Sequence, residues 1–330
     1  MTAHLININN FMRSLFKNTI ITLSLSALIM CLLDIISYVL INSEKPKGLN
    51  FTIIDPLLGW SSSEISSNLS KLPMESNSIL LINDKNNCDS SVIIYLSGGS
   101  TTDLMFDENN WPIFLSEKMK KEGVCFKIYA AAVSGYNTGQ EYLKLIRDYE
   151  DIMPDIHISY NGANEGEYPS YVSLYEEGFY QENILYNLLM PNFFKLLIRK
   201  NLIKIENKNL YNKMFEPHDF WIKNNLLMKS HADLYKYKFF SILQPVRGFS
   251  GQKMDKNKEQ FKDDFFYHNL VQFENFYPKA IETASKHEFI IDLTKFFSSE
   301  EKEVFKDDCH LNKGFQEGLA EEILSKIKTQ

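Results

Sequence analysis

Two hydrophobic patterns divide the chain, and the first is a single apolar segment near the N-terminus. Thr19–Ile41 contains 23 residues and one charged side chain, Asp34. As a helix this segment would be roughly 35 Å long, which is enough to cross the hydrocarbon core of a bilayer. The pattern therefore predicts one transmembrane anchor.

The charges beside this segment predict its orientation. Arg13 and Lys17 precede it, and positive charge favours the cytoplasmic side, although two lysines also follow it. We expect residues 1–18 to be a cytoplasmic tail, residues 19–41 to be a single-pass anchor, and the remainder to be extracytoplasmic, either periplasmic or on the outer face. A cleaved signal peptide is the alternative, but the run is longer than a usual signal core and lacks a small-residue cleavage site.

The second pattern is an alternation of short β-branched runs with amphipathic helices, which begins after residue 90. Strands that alternate with helices form parallel sheets covered on both faces. This part of the chain therefore predicts a three-layer α/β sandwich with a mostly parallel five-stranded sheet. The strands are predicted at Ser91–Leu96, Val124–Ala132, Asp155–Tyr160, Phe239–Leu243 and Glu288–Leu293.

Helices are predicted between these strands from periodicity and capping. Trp111–Lys121 has apolar residues on one face, and the spacing of Thr138 and Glu141 is that of a capping box at the start of the next helix. A last helix is indicated by apolar residues that recur every four positions, namely Phe315, Leu319, Ile323 and Ile327.

Two segments do not follow the alternation. Residues 42–90 contain Pro, Asn and Ser between short apolar pieces and are predicted to be a lead-in or linker to a domain at 91–330. Residues 166–235 are crowded with aromatic side chains and are predicted to be a helical insertion over the sheet. A substrate-facing lid is the alternative for this insertion, and the basic stretch 194–204 within it could instead lie near the membrane.

Composition and charge exclude several classes of protein. The net charge of -7 argues against nucleic acid as a partner, because phosphate binding needs a basic surface. No phosphate-binding loop or dinucleotide fingerprint occurs, and the seven histidines show no metal-site spacing. We therefore expect no cofactor and no metal. Beyond Cys31 in the anchor, the other three cysteines (Cys88, Cys125 and Cys309) allow at most one internal disulfide.

Ser100 is a candidate nucleophile. It follows a predicted buried strand in the sequence LSGGSTTD, where Gly98 and Gly99 permit a tight strand-to-helix turn. A serine hydroxyl needs a neighbouring base to become nucleophilic. His310 is the candidate base, and Asp307, three residues earlier, can orient its ring and stabilise the imidazolium that forms.

Gly135 and Asn164 are candidate donors for an oxyanion hole. Gly135, in AVSGYNTG, follows the second predicted strand and offers a backbone N–H without a Cβ in the way. Asn164, in SYNGANE, follows the third strand and offers a side-chain amide. Acyl transfer needs such donors where negative charge develops on the carbonyl oxygen.

In this order the motifs GGSTT, VSGYNTG, NGANE and DDCHLN resemble the blocks of the SGNH hydrolase family, also called GDSL-type esterases. The family is named for a Ser, a Gly, an Asn and a His, with an Asp three residues before the His. Gln244-Pro245, Trp111-Pro112 and residues 55–60 are similar to membrane-anchored members. The resemblance covers about residues 51–330 without the insertion. It implies a flavodoxin-like fold, a triad of Ser100, His310 and Asp307, and an oxyanion hole of Ser100, Gly135 and Asn164.

Two positions depart from the family pattern. Gly99 stands where the Gly-Asp-Ser form has Asp, and Glu165 stands where the Gly-x-Asn-Asp form has Asp. Neither replaced residue is the nucleophile or the amide donor. We therefore expect catalysis to be retained, whereas the two departures leave the substrate preference open.

The resemblance and the predicted anchor together imply an esterase that removes acyl groups, with O-acetyl as the first expectation, from a cell-envelope glycan. An O-acyltransferase that forms the same acyl-enzyme is a second hypothesis. A non-catalytic anchored scaffold in envelope glycan assembly is a third. The expected partners are an acylated glycan or another ester substrate and, through the N-terminal helix, a membrane.

Overall fold

The computed structural model of the chain describes residues 52–55, 57–62, 74–75, 79–83, 90–167, 216–252 and 267–329, together with helical positions between residues 17 and 36. The chain divides into two compact units. The first comprises Met1–Leu49 and Tyr180–Asn209, and the second comprises Asn50–Phe179 and Leu210–Gln330. The strands and helices labelled below all belong to the second unit.

The described positions of the first unit are helical and carry exposed apolar side chains. These are Leu25, Leu28, Ile29, Met30, Leu32, Ile35 and Ile36. Among the residues that the structure describes, no helix is both long enough and apolar enough to span a bilayer. The predicted anchor, residues 19–41, lies partly outside the described residues, because its last five positions and several earlier ones are not among them.

Strands of the second unit form a hairpin and one large sheet. The hairpin pairs β1 (Thr52–Asp55) with β2 (Gly59–Ser62). Within the described residues the large sheet has seven strands in the order β3-β4-β6-β5-β7-β8-β9. Their bounds are β3 (Met74–Glu75), β4 (Ile79–Asn83), β5 (Val92–Gly98), β6 (Phe126–Ala130), β7 (Ile156–Asn161), β8 (Lys238–Leu243) and β9 (Ile290–Asp292).

Six helices of the second unit are described, and they lie between or after these strands. They are α1 (Trp111–Lys121), α2 (Thr138–Ile152), α3 (Ala163–Glu167), α4 (Pro217–Tyr235), α5 (Tyr267–Ala284) and α6 (Gln316–Thr329). A 3₁₀ turn at Lys313–Phe315 leads into α6. The predicted helices at 111–121 and at the C-terminus are thereby confirmed.

The five predicted strands correspond to β5–β9, and they pair with one another in parallel. The expected count of five was wrong for the whole sheet, because β4 pairs antiparallel with β6 and β3 pairs antiparallel with β4. Both added strands come from residues 42–90, so this segment is more than a linker. The backbone groups along the outer edge of β6 form hydrogen bonds with β4 and so do not lie at an open sheet edge.

The sheet is covered on both faces, as its strand patterns require. Ile94 and Leu96 of β5 belong to a core cluster with Trp111 of α1 and Leu319 of α6. Tyr95, between them, belongs to a cluster on the opposite face with residues of α2 and α4. Successive side chains of a strand point to opposite faces, so both faces of β5 are buried.

The described part of the predicted insertion is a regular element of this fold. Residues 217–235 form α4, which connects the parallel strands β7 and β8, and Trp221 in α4 is fully buried. Its indole Nε1–H donates to Oδ1 of Asn161 at 2.6 Å. Residues 168–215, including the basic stretch at 194–204, lie outside the described residues.

The hairpin of the lead-in packs against the loop that follows β6. Leu58 is buried in a small cluster with Val133 and Tyr136. Its carbonyl accepts a hydrogen bond from Nε2 of Gln140 at 2.8 Å, and Asp55 accepts one from Arg147 at 2.6 Å. This part of the lead-in therefore supports the loop that carries Gly135.

The described cysteines include one in a disulfide and two with thiols. Cys125, directly before β6, is disulfide-bonded. Cys31 and Cys309 carry thiols. The sequence allowed one internal disulfide and did not determine whether one forms.

Candidate active site

Ser100 lies at the carboxyl end of β5, on a tight turn. Gly98 has φ of +155°, and a Cβ at this position would lie 2.7 Å from the carbonyl oxygen of Tyr160. The carbonyl of Gly99 accepts hydrogen bonds from the N–H groups of Thr102 and Asp103, both at 3.0 Å. This turn ends the strand and presents the hydroxyl of Ser100 at the edge of the sheet where sites of parallel sheets lie.

Ser100, His310 and Asp307 form a continuous chain of hydrogen bonds. The Oγ of Ser100 is 2.8 Å from Nε2 of His310. Nδ1 of the same ring is 3.0 Å and 2.9 Å from the two carboxylate oxygens of Asp307. Since a carboxylate accepts, Nδ1 carries the ring hydrogen, and Nε2 presents the lone pair that a general base requires. The structure thus brings together the three residues that the sequence singled out.

Asp307 is held as a carboxylate by its surroundings. Its Oδ1 also accepts from the backbone N–H of Cys309 at 3.1 Å and from that of His310 at 2.7 Å. Burial acts to raise the pKa of Asp307, but the His310 ring and these N–H groups outweigh it, so the pKa lies below its usual range. The aspartate is therefore ionised where it faces the imidazole.

Phe106 covers one side of the His310 imidazole. Its ring stacks on that of His310 with centroids 5.1 Å apart and planes inclined by 28°. The side chain is nevertheless 52% exposed. An exposed aromatic ring beside the candidate base is suited to contacting a ligand. Sequence reasoning missed Phe106 because its contact with His310 joins positions far apart in the chain.

Three N–H groups are available near the nucleophile. Among the described residues, the backbone N–H groups of Ser100 and Gly135 have no hydrogen-bond acceptor. Gly135 has φ of +81°, and its loop is tied to the nucleophile turn by a 3.1 Å hydrogen bond from Val133 N to the carbonyl of Gly98. Asn164, in α3, donates one amide hydrogen to the carbonyl of Tyr136 at 2.5 Å, which leaves the second one available.

The amide of Asn164 lies directly beside Gly99, the residue before the nucleophile. A Cβ at Gly99 would be 2.3 Å from Nδ2 of Asn164 and 3.4 Å from the carbonyl oxygen of Tyr136. This places the amide donor next to Ser100 and explains why glycine occupies position 99. From the sequence, Gly99 was expected to permit the turn, and the structure adds a steric requirement for glycine at this position.

Glu165 joins the two loops that carry the candidate oxyanion donors Gly135 and Asn164. Its Oε1 accepts from the backbone N–H of Thr138 at 2.5 Å, and its Oε2 accepts from that of Gly162 at 3.2 Å. Burial raises the pKa of this carboxyl, and the two N–H donors partly offset that effect. The residue that departs from the family pattern therefore has a structural function between the Gly135 loop and Asn164.

Two further contacts hold the nucleophile turn. Oδ2 of Asp103 accepts from the backbone N–H of Ser134 at 2.9 Å and from its hydroxyl at 2.8 Å. The hydroxyl of Thr101 donates to Oε1 of Gln244, of the Gln-Pro pair after β8, at 3.1 Å. The turn is thus bound to the loops after β6 and after β8.

A buried polar network lies beneath these loops, between α2 and the sheet. Oε2 of Glu141 accepts from the hydroxyls of Ser97 at 2.6 Å and Ser159 at 2.5 Å. Since Ser97 donates to Glu141, the hydrogen bond of 2.9 Å between Ser97 and Nε2 of His157 must be donated by the imidazole. Glu141 was predicted to complete a capping box, but the box is formed one residue earlier by Asn137 and Gln140.

Burial shifts the pKa values of this network in opposite directions. It raises the pKa of Glu141 to about 8, with the charge of Glu165 adding to the effect. It lowers the pKa of His157 to about 3, with His231 adding to the effect. Both groups therefore favour their neutral forms in the folded protein.

Comparisons with known proteins found structural likeness only. No family model matches the sequence, and no curated protein matches it. Among solved structures, an acetyl xylan esterase, AlAXEase, has a TM-score of 0.44 at 13% identity, covering 72% of this chain and 100% of that one. A lipase/acylhydrolase from Enterococcus faecalis has 0.45 at 13% identity, covering 73% and 96%. A GDSL-like lipase from Bacteroides thetaiotaomicron VPI-5482 has 0.38 at 14% identity, covering 72% and 89%.

Proposed function

We propose that this chain is an SGNH-type serine esterase. The observation that carries the proposal is the hydrogen-bonded sequence Ser100–His310–Asp307 at the carboxyl edge of the sheet. Residues 210 positions apart in the chain form this arrangement, with the hydroxyl, imidazole and carboxylate in the order that nucleophilic catalysis requires. This geometry favours an enzyme over the scaffold hypothesis.

The proposed reaction has two steps. The hydroxyl of Ser100 transfers its proton to Nε2 of His310 while Oγ bonds to the ester carbonyl carbon, and the carboxylate of Asp307 stabilises the imidazolium. The imidazolium then protonates the leaving alcohol as the ester C–O bond breaks, which leaves an acyl-Ser100 intermediate. In the second step His310 takes a proton from water, the resulting oxygen attacks the acyl carbon, and Ser100 is released with its proton restored.

The negative charge that develops on the carbonyl oxygen is stabilised by the donors described above. The N–H groups of Ser100 and Gly135 and the remaining amide hydrogen of Asn164 supply up to three hydrogen bonds. Because the amide of Asn164 is fixed by Tyr136 and bounded by Gly99, its position does not have to be organised during the reaction. Such pre-organised donors typically contribute a large share of the rate enhancement.

The substrate that we propose is an O-acetyl ester on a cell-envelope glycan. Support comes from the resemblance of Gln244-Pro245, Trp111-Pro112 and residues 55–60 to membrane-anchored SGNH hydrolases. Phe106 adds to it, because its exposed ring beside His310 offers an apolar surface to a substrate. The proposed location is extracytoplasmic, with residues 19–41 as anchor and the N-terminus in the cytoplasm. The disulfide at Cys125 supports this location, because disulfides persist in oxidising compartments.

The proposal is tested by labelling the purified full-length protein with a fluorophosphonate probe and measuring intact mass, followed by peptide mapping. We expect a single adduct on Ser100. Ser100→Ala should abolish it, and His310→Ala should abolish or strongly slow it, because the hydroxyl then lacks its base. Ser116→Ala is the matched control, since Ser116 lies in α1 away from the triad and should leave labelling intact.

Labelling must be followed by turnover of acetylated oligosaccharide, with released acetate and transferred acetyl measured separately. Acetate as the main product supports the esterase function. Transfer of the acetyl group to a sugar hydroxyl would instead support the O-acyltransferase hypothesis. A folded protein that neither labels on Ser100 nor cleaves any ester would overturn the proposal. The anchor is tested independently by alkaline carbonate extraction of membranes, which should release a chain lacking residues 1–48 but not the full chain.

A further inference from the structure

Four potential metal ligands lie side by side in the loop before α6: Asp307, Asp308, Cys309 and His310. One ligand atom of each lies within 4.8 Å of the others. The esterase mechanism uses Asp307 and His310 but gives no function to Cys309. This thiol is 4% exposed, and its Sγ is 3.6 Å from Nδ1 of His310.

The distances around Nδ1 fit a tetrahedral ion that takes sulfur and nitrogen. With metal–sulfur and metal–nitrogen distances of about 2.3 Å and 2.05 Å, two such ligands at the tetrahedral angle are about 3.6 Å apart. The Sγ of Cys309 and Nδ1 of His310 already have this separation. Oδ2 of Asp307 is 2.9 Å from Nδ1, and an outward shift of roughly 0.4 Å would give the separation of a nitrogen and an oxygen ligand on one ion.

We infer that Asp307, Cys309 and His310 form a site for a thiophilic divalent cation such as Zn²⁺, and that its occupation switches off the catalytic base. The inhibition rests on the esterase function proposed above, whereas the binding itself does not. Asp308 or a water molecule completes the four ligands.

Binding changes the protonation of both Cys309 and His310. The ring hydrogen passes from Nδ1 to Nε2, the lone pair freed on Nδ1 bonds to the cation, and the thiol of Cys309 loses its proton to solvent as sulfur bonds to the cation. One proton is released for each cation bound. Nε2 then carries a hydrogen and cannot accept the proton of Ser100, so nucleophilic attack stops.

The ligand set also predicts which cations act. Thiolate and imidazole favour Zn²⁺ and Co²⁺, whereas Mg²⁺ and Ca²⁺ favour oxygen ligands. We expect micromolar Zn²⁺ to inhibit and millimolar Mg²⁺ to leave activity unchanged, with inhibition reversed by a chelator.

The experiment measures binding apart from catalysis. Co²⁺ is titrated into the full-length Ser100→Ala protein, and absorption is followed for the thiolate-to-cobalt charge-transfer band and the intense visible bands of tetrahedral Co²⁺. We expect both, and we expect Cys309→Ser in the same background to lose the charge-transfer band. Cys31→Ser is the matched control, because Cys31 is the other thiol among the described residues, and it should keep the band.

Inhibition is measured on proteins that retain Ser100, with each variant compared to its own metal-free rate. Loss of an outer-shell partner alone typically weakens metal affinity 10- to 100-fold, so we expect Cys309→Ser and Cys309→Ala to weaken Zn²⁺ inhibition by roughly 100-fold or more. Circular dichroism and thermal unfolding establish that both variants fold.

Each outcome bears on one proposal. Absence of the charge-transfer band, or its persistence in both folded Cys309 variants, overturns the metal site. Loss of the charge-transfer band in Cys31→Ser would place the cobalt at Cys31 and would also overturn the metal site. A band that depends on Cys309 in a protein whose Ser100 neither labels nor turns over would sustain the metal site while the esterase function fails.

Discussion

Nδ2 of Asn164 occupies the space in which a side chain at position 99 would begin. The two are 2.3 Å apart when a Cβ is placed on Gly99, which is far below van der Waals contact. Gly99 does not have a positive φ, so its backbone is open to other residues and the restriction is steric alone. Glycine at this position therefore leaves room for the amide of Asn164, the proposed oxyanion donor.

Gly99→Ala should lower kcat by roughly 100-fold, because the added methyl group displaces the amide of Asn164 and removal of one oxyanion donor typically costs 100- to 1000-fold. Gly99→Asp, which introduces the residue of the family pattern, should be at least as damaging. The measurement is steady-state hydrolysis of a small chromogenic acetate ester. Gly318→Ala is the control, because nothing lies within 4 Å of a Cβ there.

A double-mutant cycle tests whether the effect of Gly99→Ala is transmitted through Asn164. If Gly99→Ala acts through Asn164, then Asn164→Ala should cost little more in the Gly99→Ala background, whereas independent effects would multiply. Equal losses from Asn164→Ala in both backgrounds would show that position 99 acts by another route.

Glu165→Gln should lower kcat by roughly 10- to 100-fold with a smaller change in KM. An amide can accept from only one of the two N–H groups, so the loop of Gly135 and that of Asn164 separate, and small misplacements at a catalytic site are costly. Glu282→Gln is the control, since that carboxylate pairs with Lys286 on the surface of α5. An unchanged kcat in a folded Glu165→Gln protein would remove Glu165 as a positioning residue.

Phe106→Ala should lower kcat/KM for small esters by about 2- to 10-fold, the range that follows from an aromatic pair worth about 0.5–1.5 kcal/mol. The loss should be greater for an acetylated oligosaccharide, because the exposed face of the ring is also removed from the substrate. Phe106→Tyr retains the ring and should remain close to the wild type. Kinetics of Phe106→Ala that match those of the wild type on both substrates would mean that the ring assists neither the base nor substrate binding.

The strands β5–β9 and the residues Ser100, Asp307 and His310 could be predicted because each has a signal in its own stretch of sequence. Each of the strands β5–β9 carries its own hydrophobic run, and Ser100, Asp307 and His310 each lie in a recognisable motif. β3 was missed because it has only two residues. β4 was missed because its apolar run lies among the Pro, Asn and Ser of residues 42–90, outside the alternation of strands and helices. The functions of Gly99, Phe106 and Glu165 were missed because each depends on a neighbour that is distant in the chain.

Glu141 and His157, which both contact Ser97, make the free energy of unfolding depend on pH in opposite directions. The pKa of Glu141 is raised from 4.5 to about 8, so the folded protein retains a proton that the unfolded chain releases, and stability falls as pH rises between these values. The pKa of His157 is lowered from 6.5 to about 3, so the unfolded chain binds a proton that the folded protein does not, and stability falls as pH falls between these values.

Glu141→Gln should therefore gain stability relative to the wild type as pH rises from about 4.5 to 8, by at most about 1.4 kcal/mol per pH unit. The two contributions oppose each other between pH 4.5 and 6.5, and above pH 6.5 the effect of Glu141 remains alone, so the wild type should weaken there while the variant does not. Denaturant unfolding at intervals from pH 4 to 9 gives the difference in free energy directly. A difference that is constant across this range would mean that Glu141 titrates alike in both states and that its contact with Ser97 and Ser159 is made by an ordinary carboxylate.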